Sequence, residues 1–391
     1  MIARFFSTSI LLKILQSLKW VKAHGALLWL ALTGPTLAIE LRVAIEEGVN
    51  KIKVGSSTNA IVRNGASQIL GELAGLNGFS AELRGGKIAI SKWLAGQIWL
   101  EPKGDGFVFI GDRWYRGRAL LVPTSKGITA VNFVDLEQYL YSVLGAEMAG
   151  DWPQEALKAQ AVAARTYALY ERQKSGNRIY DLGDSQGWQV YKGIATESPG
   201  TYAAVNATAG QVLTYNGQII LAAFHSASGG HTENVEDVWM EALPYLRGVP
   251  DYDMGTPGYQ WRKTFSNNEL SRRISGVGRI ISMTPERTTP RGSIISMKVV
   301  GDAGTRIISG NDLRDALGLR STRFRVFPQG VLAGSKGAAK IPSSFIIDGY
   351  GFGHAVGMSQ WGAYKLAQYG VPYTSILAHY YRGASLAKIK Y

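Results

Sequence analysis

The most regular part of the sequence is the stretch VLGAEMAGDWPQEALKAQAVAARTYA, residues 143–168. Its second half is rich in alanine and begins at Pro153, a residue type favoured at the first position of a helix. Asp151 lies just ahead, where we expect it to cap the helix, and Gly176 is suited to end it. The spacing therefore predicts a helix over residues 153–174, with a narrow alanine surface on which a neighbouring element can pack closely.

Two charged side chains in this stretch are candidates for function. Glu147 lies between Ala146 and Met148, and apolar surroundings raise the pKa of a carboxyl group toward the range of a proton donor or acceptor near neutral pH. The alternative is that Glu147 neutralises the N-terminus of the following helix. Arg165 has no acidic residue three or four positions away along its helix, so its counter-charge must come from elsewhere in the fold or from a ligand.

The sequence on both sides of this stretch indicates an α+β fold. Residues 39 to about 131 alternate apolar and polar side chains, as in IELRVAIEEG and GKIAISKW, and predict strands joined by turns. Asp135 is expected to cap a helix that precedes Glu147. Further elements are predicted downstream: strands over residues 210–215, 218–225 and 294–300, and helices near residues 269–274, 311–317 and 359–368. We expect a long groove walled by the alanine-rich helix, the loop over residues 226–233 and the glycine-rich C-terminal segment.

The composition is that of a globular protein with a large core, because 46% of the 391 residues are hydrophobic and only 18% are charged. The absence of cysteine excludes thiol catalysis, cysteine-ligated zinc and disulfide bonds. The formal net charge of +13 predicts an anionic partner such as nucleic acid, acidic lipid or acidic glycan. A basic balance that serves only solubility is the alternative.

The N-terminal segment is typical of an export signal. Its positive charges all precede the first acidic residue of the chain, and they are Arg4, Lys13, Lys19 and Lys22. The apolar run ALLWLAL, residues 26–32, leads to small residues, which predicts a signal peptide over residues 1–38 with cleavage after about Ala38. An uncleaved anchor over residues 10–32 is the alternative, which the interrupting lysines disfavour. The sequence thus predicts export to the periplasm or the cell wall, without stable membrane insertion after cleavage.

Two glycine-rich segments and the scarce histidines are further candidates. The loop SASGG, residues 226–230, can let a polymer approach its N–H and hydroxyl groups, although an ordinary hairpin loop has the same composition. The tail segment GYGFGHAVGMSQWGA, residues 349–363, suits either a groove floor on which sugars stack or core packing, and it lacks a phosphate-loop pattern. His225 and His231 could ligate a metal, but without HExxH or cysteine we expect no metal and no cofactor.

Taken together, these segments resemble the SpoIID/LytB family of secreted cell-wall proteins, which comprises stage II sporulation protein D and the amidase enhancers. The resemblance covers residues from about Trp114 to the C-terminus and is most specific in WPQEALKAQAVAARTYA (152–168) and GHAVGMSQWGA (353–363). The other segments that carry it are VDLEQYLYSVLGAEM (134–148), QVYKG (189–193), FHSASGGHTE (224–233), LPYLRGV (243–249), SGNDLRDALGL (309–319) and LAHYYRGASL (377–386). We expect a signal peptide (1–38), a strand-rich region (39–113) and a family domain (114–391) that contains a subdomain over residues 256–345.

The resemblance implies a peptidoglycan-remodelling protein, and the sporulation member is a lytic transglycosylase that cleaves glycan strands stripped of their peptides. It places the catalytic acid on Glu147 and requires no second carboxylate, since the 6-hydroxyl of the sugar closes a 1,6-anhydro ring. The substrate-binding residues that it implies are Arg165, His225, Ser226, Ser228, Gly229, Gly230, Tyr245, Arg247, His354 and Gln360. The implied partners are peptidoglycan glycan strands and a cell-wall amidase.

The sequence departs from the family pattern at three points. Ala149 stands where many relatives have proline, and Ala355 stands where a glycine is usual; both bear on the shape of the groove. The cysteines that accompany a zinc site in some relatives are absent, which argues against a metal.

Two functions stay open at this stage. One is a transglycosylase, and the other is a non-catalytic enhancer that binds glycan strands and stimulates a separate N-acetylmuramoyl-L-alanine amidase. A nucleic-acid binder is disfavoured, because no element carries a stripe of basic and aromatic residues.

Overall fold

The structure, a computed structural model, describes residues 39–185, 187–239, 241–331 and 340–389. The predicted signal peptide, residues 1–38, lies outside the described residues. Within the described ranges, none of the helices combines the length and the apolar content that crossing a bilayer would take.

Two sheets dominate the N-terminal part of the described chain. Their strands are β1 (Glu40–Val49), β2 (Lys51–Ser56), β3 (Ala60–Asn64), β4 (Ile69–Leu73), β5 (Gly78–Arg84), β6 (Lys87–Ile90), β7 (Trp93–Ala95), β8 (Ile98–Pro102), β9 (Val108–Ile110), β10 (Arg113–Tyr115), β11 (Arg118–Thr124), β12 (Gly127–Asp135) and β13 (Leu182–Gly183). One sheet has the order β13-β1-β12-β11-β8-β3-β4 and the other has the order β10-β9-β2-β5-β6-β7. Their pairing is antiparallel except that β13 lies parallel to β1. The alternation of apolar and polar residues explains this arrangement, because each sheet buries one face.

Helices are concentrated after β12 and surround the candidate site. They are α1 (Leu136–Glu147), α2 (Gln154–Lys174), α3 (Pro199–Ala207), α4 (Val235–Val238), α5 (Asn267–Arg273), α6 (Gly310–Leu317), α7 (Gln360–Gln368) and α8 (Tyr373–Tyr380), with a 3-10 helix over Gly193–Thr196. As predicted, the side chain of Asp135 caps α1 by accepting the backbone N–H groups of Glu137 and Gln138.

The start of α2 differs in detail from the prediction. Pro153 is the N-cap residue, and no side chain caps the helix there. Asp151, the expected cap, lies in a turn that is closed by the backbone N–H of Trp152 and the carbonyl oxygen of Ala149, 3.0 Å apart. This turn is what separates the end of α1 from the start of α2.

The remaining strands form four small sheets. The strands are β14 (Gln211–Tyr215), β15 (Gln218–Ile219), β16 (Phe224–His225), β17 (Gln260–Ser266), β18 (Ile280–Thr288), β19 (Ile294–Gly301), β20 (Thr305–Ser309), β21 (Phe324–Gln329), β22 (Ser344–Tyr350), β23 (Met358–Ser359) and β24 (Ser385–Lys388). Their orders are β15-β14-β24, β16-β23, β17-β22-β21 and β18-β19-β20. The mixture of helices and mainly antiparallel sheets confirms the α+β class, whereas the predicted groove stays a prediction.

Three large buried apolar clusters and a small one on β11 and β12 hold the described elements together. The first joins the two N-terminal sheets to α1 and to one face of α2. The second lies on another face of α2, where Ala159, Val162 and Ala163 contact residues of α7, α8 and β23. The third is built from residues between Trp261 and Ile347. Helix α2 therefore takes part in two cores at once, which its small side chains permit because they allow close approach on more than one face. The predicted domain limits stay a prediction.

Candidate active site

Glu147 is the last residue of α1, and its position follows from how that helix ends. Met148 takes an extended conformation and its N–H closes the last turn by bonding to the carbonyl oxygen of Leu144. The chain then turns into α2. The Glu147 side chain is consequently partly buried at the junction of the two helices instead of lying along a solvated helix face.

Two donors from distant parts of the sequence bind the Glu147 carboxylate. The backbone N–H of Val190 lies 3.1 Å from Oε1, and the side-chain amide of Gln360 lies 3.0 Å from Oε2. Gln360 is the first residue of α7 and is itself buried. The acid that the sequence singled out and one of its predicted companions are therefore in direct contact.

The pKa of the Glu147 carboxyl is raised above its ordinary value. Burial is the largest cause, because a low-polarity environment disfavours the charged form. The hydrogen bonds from Val190 and Gln360 and the positive charge of Lys192 act in the opposite direction and lower the pKa. The result is a carboxyl group that can be protonated at a higher pH than a solvated glutamate, while two donors hold its orientation.

We expect Gln360→Met to raise the pKa of Glu147 further. Gln360 donates to the charged carboxylate and so lowers its pKa. Removing this donor disfavours the charged form, and the rise in pKa caused by burial is then counteracted only by Val190 and Lys192. A carboxyl-selective carbon NMR titration of wild type and variant measures this directly. The control is Gln173→Met, since Gln173 is exposed on the last turns of α2. A pKa that stays unchanged or falls in Gln360→Met would contradict the assigned hydrogen bond.

The loop over residues 226–230 lies beside Gln360. Strands β16 and β23 pair in parallel, with His225 opposite Ser359. The backbone N–H of Trp361 then donates to the carbonyl oxygen of Ser226, at 3.0 Å. The structure thus places Ser226 and His225 next to the segment that contacts Glu147.

The two histidines of this region are neutral. The rings of His225 and His354 have centroids 5.4 Å apart. Burial lowers the pKa of each to about 3, and for His354 the neighbouring His225 lowers it further. These imidazoles can therefore offer hydrogen bonds but no positive charge near neutral pH. Among the residues that the structure describes, no group of three or more histidine and acidic side chains is arranged to hold a metal ion.

The polar groups of the loop beyond Ser226 are engaged inside the protein. Asp253, which is fully buried, accepts the backbone N–H groups of Gly229 and Gly230 at 2.7 and 2.8 Å. The hydroxyl of Ser228 donates to Asp251 at 2.6 Å. The sequence left open whether this loop contacts a polymer or is an ordinary hairpin loop, and the family resemblance implied a substrate contact. The structure differs, because two aspartates more than twenty residues downstream satisfy these polar groups.

Arg165 also differs from its predicted place on a groove wall. Its side chain is 0% exposed. It bonds to Glu137 on α1 through Nε at 2.8 Å and Nη2 at 2.5 Å, and its Nη1 donates to the carbonyl oxygen of Gln211. The counter-charge expected from elsewhere in the fold is therefore Glu137, and the guanidinium ties α2 to α1 and β14 in the interior.

Tyr245 and Arg247 occupy a different place from Glu147 and Gln360. Tyr245 is buried, and its hydroxyl accepts the backbone N–H of Leu221. Arg247 pairs with Glu236 on α4 and is partly exposed. Neither side chain has a hydrogen bond to the acid–amide pair within the described part of the chain.

Ala355 adopts a left-handed conformation with φ of 61°. An alanine pays a steric cost in this region that glycine does not. Ala355 stands at a position that is usually glycine in the family, and its backbone conformation is one that favours glycine. Its carbonyl oxygen accepts the backbone N–H of Glu233 at 2.7 Å, which helps to fix the bend.

The sequence interpretation did not single out three groups that the structure brings to the site. They are the N–H of Val190, the charge of Lys192 and the indole of Trp361. Val190 and Lys192 belong to the QVYKG segment, so the motif itself was a signal. A backbone N–H, however, carries no residue-type information, and only the folded chain shows that it faces Glu147.

The fold and the site define an α+β protein with one partly buried acid held by a backbone N–H and a glutamine amide. Residues 124–215 match the family described as Stage II sporulation protein, and residues 250–357 match a domain of unknown function (DUF8618). An uncharacterized protein of Brachyspira hyodysenteriae is 35% identical over 285 residues, covering 72% of this chain and 74% of that protein. Stage II sporulation protein D of Bacillus subtilis is 33% identical over 284 residues, covering 66% and 76%.

An amidase enhancer of Bacillus subtilis is 32% identical over 296 residues, which covers 63% of this chain and 40% of that protein. Because stage II sporulation protein D of Bacillus subtilis is more than 30% identical and is covered over 76% of its length, the chain belongs to the stage II sporulation protein D (SpoIID/LytB) family. The resemblance read from the sequence motifs is confirmed.

Proposed function

We propose that the protein is an exported peptidoglycan-remodelling enzyme, a lytic transglycosylase that cleaves peptide-free glycan strands with Glu147 as its single acid and base. The observation that carries the proposal is the Glu147 carboxyl group, whose pKa burial raises and whose two oxygens are held by Val190 and Gln360. Membership of a family that includes proteins named stage II sporulation protein D and amidase enhancer supports the cell wall as the place of action.

The proposed reaction needs one proton donor that later becomes a proton acceptor. Protonated Glu147 gives its proton to the glycosidic oxygen while the bond to the anomeric carbon breaks and positive charge develops on the sugar ring. The carboxylate then takes the proton of the 6-hydroxyl of the same sugar as that oxygen bonds to the anomeric carbon. The products are a strand with a new hydroxyl end and a strand that ends in a 1,6-anhydro sugar, and no water is consumed.

The neighbours of Glu147 suit both halves of this cycle. The Val190 N–H and the Gln360 amide can bind the carboxylate that remains after proton transfer, and Lys192 favours the same charged state. Burial favours the protonated state at the start. Burial and these three groups therefore act in opposite directions on the pKa of Glu147, as suits a group that alternates between acid and base.

The proposed reaction differs from ordinary hydrolysis in that it needs only one acid. Retaining and inverting glycosidases use two carboxyl groups, about 5 to 10 Å apart. An internal hydroxyl nucleophile makes a second acid unnecessary.

The proposal places the glycan strand in a groove that passes Glu147 and the segment of His225, Ser226 and Gln360. Gln360 contacts the acid, and the pairing of β16 with β23 brings His225 and Ser226 next to the segment that begins α7. The formal net charge of +13 matches a wall polymer that carries carboxylates. We retain His354 as a neutral lining residue, and Arg247 as a partly exposed cation for the strand's acidic groups.

A second candidate function is favoured by the similarity to an amidase enhancer. In that case the protein binds glycan strands and stimulates a separate cell-wall amidase without cutting the glycan.

We expect the purified protein, incubated alone with peptide-free glycan strands, to release fragments that end in 1,6-anhydro sugars. Mass spectrometry detects these ends directly. The matched sample contains peptide-bearing peptidoglycan with an added amidase. The enhancer function would replace the enzyme function if the protein stimulated the release of peptides in that sample and left the peptide-free strands of the first sample intact.

A further inference from the structure

Three aromatic rings next to the candidate active site form a continuous cluster, which we call the aromatic platform: Trp152, Trp361 and Tyr364. The ring centroids of Trp152 and Trp361 are 4.6 Å apart, those of Trp152 and Tyr364 are 4.8 Å apart, and those of Trp361 and Tyr364 are 5.3 Å apart. All three side chains are partly exposed. The platform therefore presents ring surface to the outside and is not a closed part of the core.

The platform is attached to the residues that hold the candidate acid. Trp361 directly follows Gln360, whose amide bonds to Glu147, and both residues lie in the first turn of α7. Trp152 is in the turn that links Glu147 to α2. The platform is therefore joined by short stretches of chain to both partners of the acid–amide hydrogen bond.

The position of Trp361 is fixed from two sides. Its backbone N–H donates to Ser226, and its indole packs against Gly258, where a Cβ atom would lie 3.1 Å from Cδ1 of the indole. That Cβ would also lie 2.7 Å from the Cβ of Ala227, so the site leaves no room for a larger residue at position 258. A ring held in this way loses little conformational freedom when a ligand covers it.

The platform also carries two indole N–H donors that can bind a ligand. In the part of the chain that the structure describes, the indole N–H groups of Trp152 and Trp361 have no hydrogen-bond acceptor, whereas the buried Trp261 donates its indole N–H to a backbone carbonyl. Partly exposed indoles combine an apolar face with a free donor at the edge. A pyranose ring has the matching surface, since its axial C–H groups form an apolar face and its hydroxyls project at the rim.

We propose that the aromatic platform is a saccharide-binding subsite that stacks an uncharged hexosamine ring of the glycan strand beside the bond at Glu147. This inference rests on the proposed function and adds to it a specific binding surface. The neutral rings, with no acid or base among them, favour a neutral sugar unit over the lactyl carboxylates or the peptides of the wall.

The test measures binding separately from cleavage. In a Glu147→Gln background, the affinity for peptide-free glycan strands is measured by isothermal titration calorimetry. We expect Trp361→Ala to weaken binding at least about tenfold and Trp361→Phe to keep it within about threefold, because a phenyl ring still stacks. The control is Phe327→Ala, since Phe327 is an exposed aromatic residue on β21, outside the platform. Thermal unfolding verifies that each variant is folded, and Tyr364→Ala serves as a second platform variant.

The outcomes separate this inference from the proposed function. If wild type cuts no glycan but Trp361→Ala still loses affinity, the cleavage proposal fails and the subsite stands. Any of three results would overturn the subsite. The platform variants could bind glycan strands as tightly as the Glu147→Gln protein, Phe327→Ala could weaken binding as much as they do, or none of the proteins could bind peptide-free strands. Platform variants that bind strands normally but lose contact with an added amidase would assign the surface to that protein instead.

Discussion

Glu147→Gln is expected to lower the rate of glycan-strand cleavage by about 10² to 10⁴, the range for loss of a general acid. The substitution removes the only proton that the proposed mechanism delivers to the glycosidic oxygen. The same side chain can no longer accept the proton of the 6-hydroxyl, so both halves of the reaction are affected. Quantifying anhydro-ended products against time for both proteins measures the effect.

The local structure allows this variant to fold. A glutamine at position 147 can accept the Val190 N–H with its oxygen, and its NH2 group can donate to Gln360 if the amide of Gln360 turns over. We therefore expect a melting temperature and an affinity for glycan strands close to those of wild type. The change should appear in kcat and not in KM, because the proton is needed in the transition state.

The matched control is Glu171→Gln. Glu171 is also a partly buried glutamate on a helix, and burial likewise raises its pKa. Its replacement should leave product formation unchanged within about twofold. If Glu147→Gln kept wild-type rates, or if both variants lost activity equally, the role of Glu147 as acid and base would have to be abandoned.

Local sequence patterns predicted the two helices, α1 and α2, that position the candidate site. The Asp135 cap and the apolar face of α1 placed Glu147 near the end of a helix, and α2 was predicted from its alanines and from Pro153. These features depend on residues within a few positions of one another. The signal for them is therefore present in the sequence itself.

Long-range contacts could not be predicted in the same way. The helix of Arg165 offers no counter-charge, which left a partner elsewhere in the fold or a ligand open, and the family resemblance implied a substrate contact. In the structure Glu137 binds it from a separate helix 28 residues earlier. The resemblance implied that Gly229 and Gly230 contact the substrate, yet Asp253 accepts both of their N–H groups. In both cases the residue types were informative, but only tertiary packing decides whether a polar group meets a ligand or another part of the chain.

The contact between Glu147 and Gln360 is an intermediate case. Both residues were named through the family resemblance, but 213 positions separate them, and no local pattern shows that they touch. The structure joins them because α2 packs against α7 through the small residues Ala159 and Ala163 on one side and Ala363 on the other. The alanine surface noted in the sequence is thus a cause of the site geometry.

The second large effect concerns stability and follows from the buried pair of Arg165 and Glu137. We expect Arg165→Ala to reduce the free energy of unfolding by about 3 to 5 kcal/mol, the range for breaking one partner of a buried ion pair. The guanidinium is fully buried, and its loss also leaves the carbonyl oxygens of Gln211 and Val205 without these donors. Urea denaturation followed by far-UV circular dichroism measures the change.

A double-mutant cycle separates the ion pair from the other contacts of Arg165. Glu137→Gln keeps an acceptor for the backbone N–H of Gly210, which also bonds to this side chain. The variant that combines Arg165→Met with Glu137→Gln should lose less free energy of unfolding than the sum of the losses in Arg165→Met alone and Glu137→Gln alone, because it leaves no buried charge unpaired.

The exposed pair of Arg262 and Asp348 provides the comparison for this cycle. Arg262 is 68% exposed, and solvent screens its pairing with Asp348, so Arg262→Ala should change stability little. An Arg165→Ala protein as stable as wild type but unable to bind glycan strands would return Arg165 to the role of a substrate contact. A large loss of stability with a strong positive coupling to Glu137 would instead mean that this arginine positions α1, and with it Glu147, without touching the substrate.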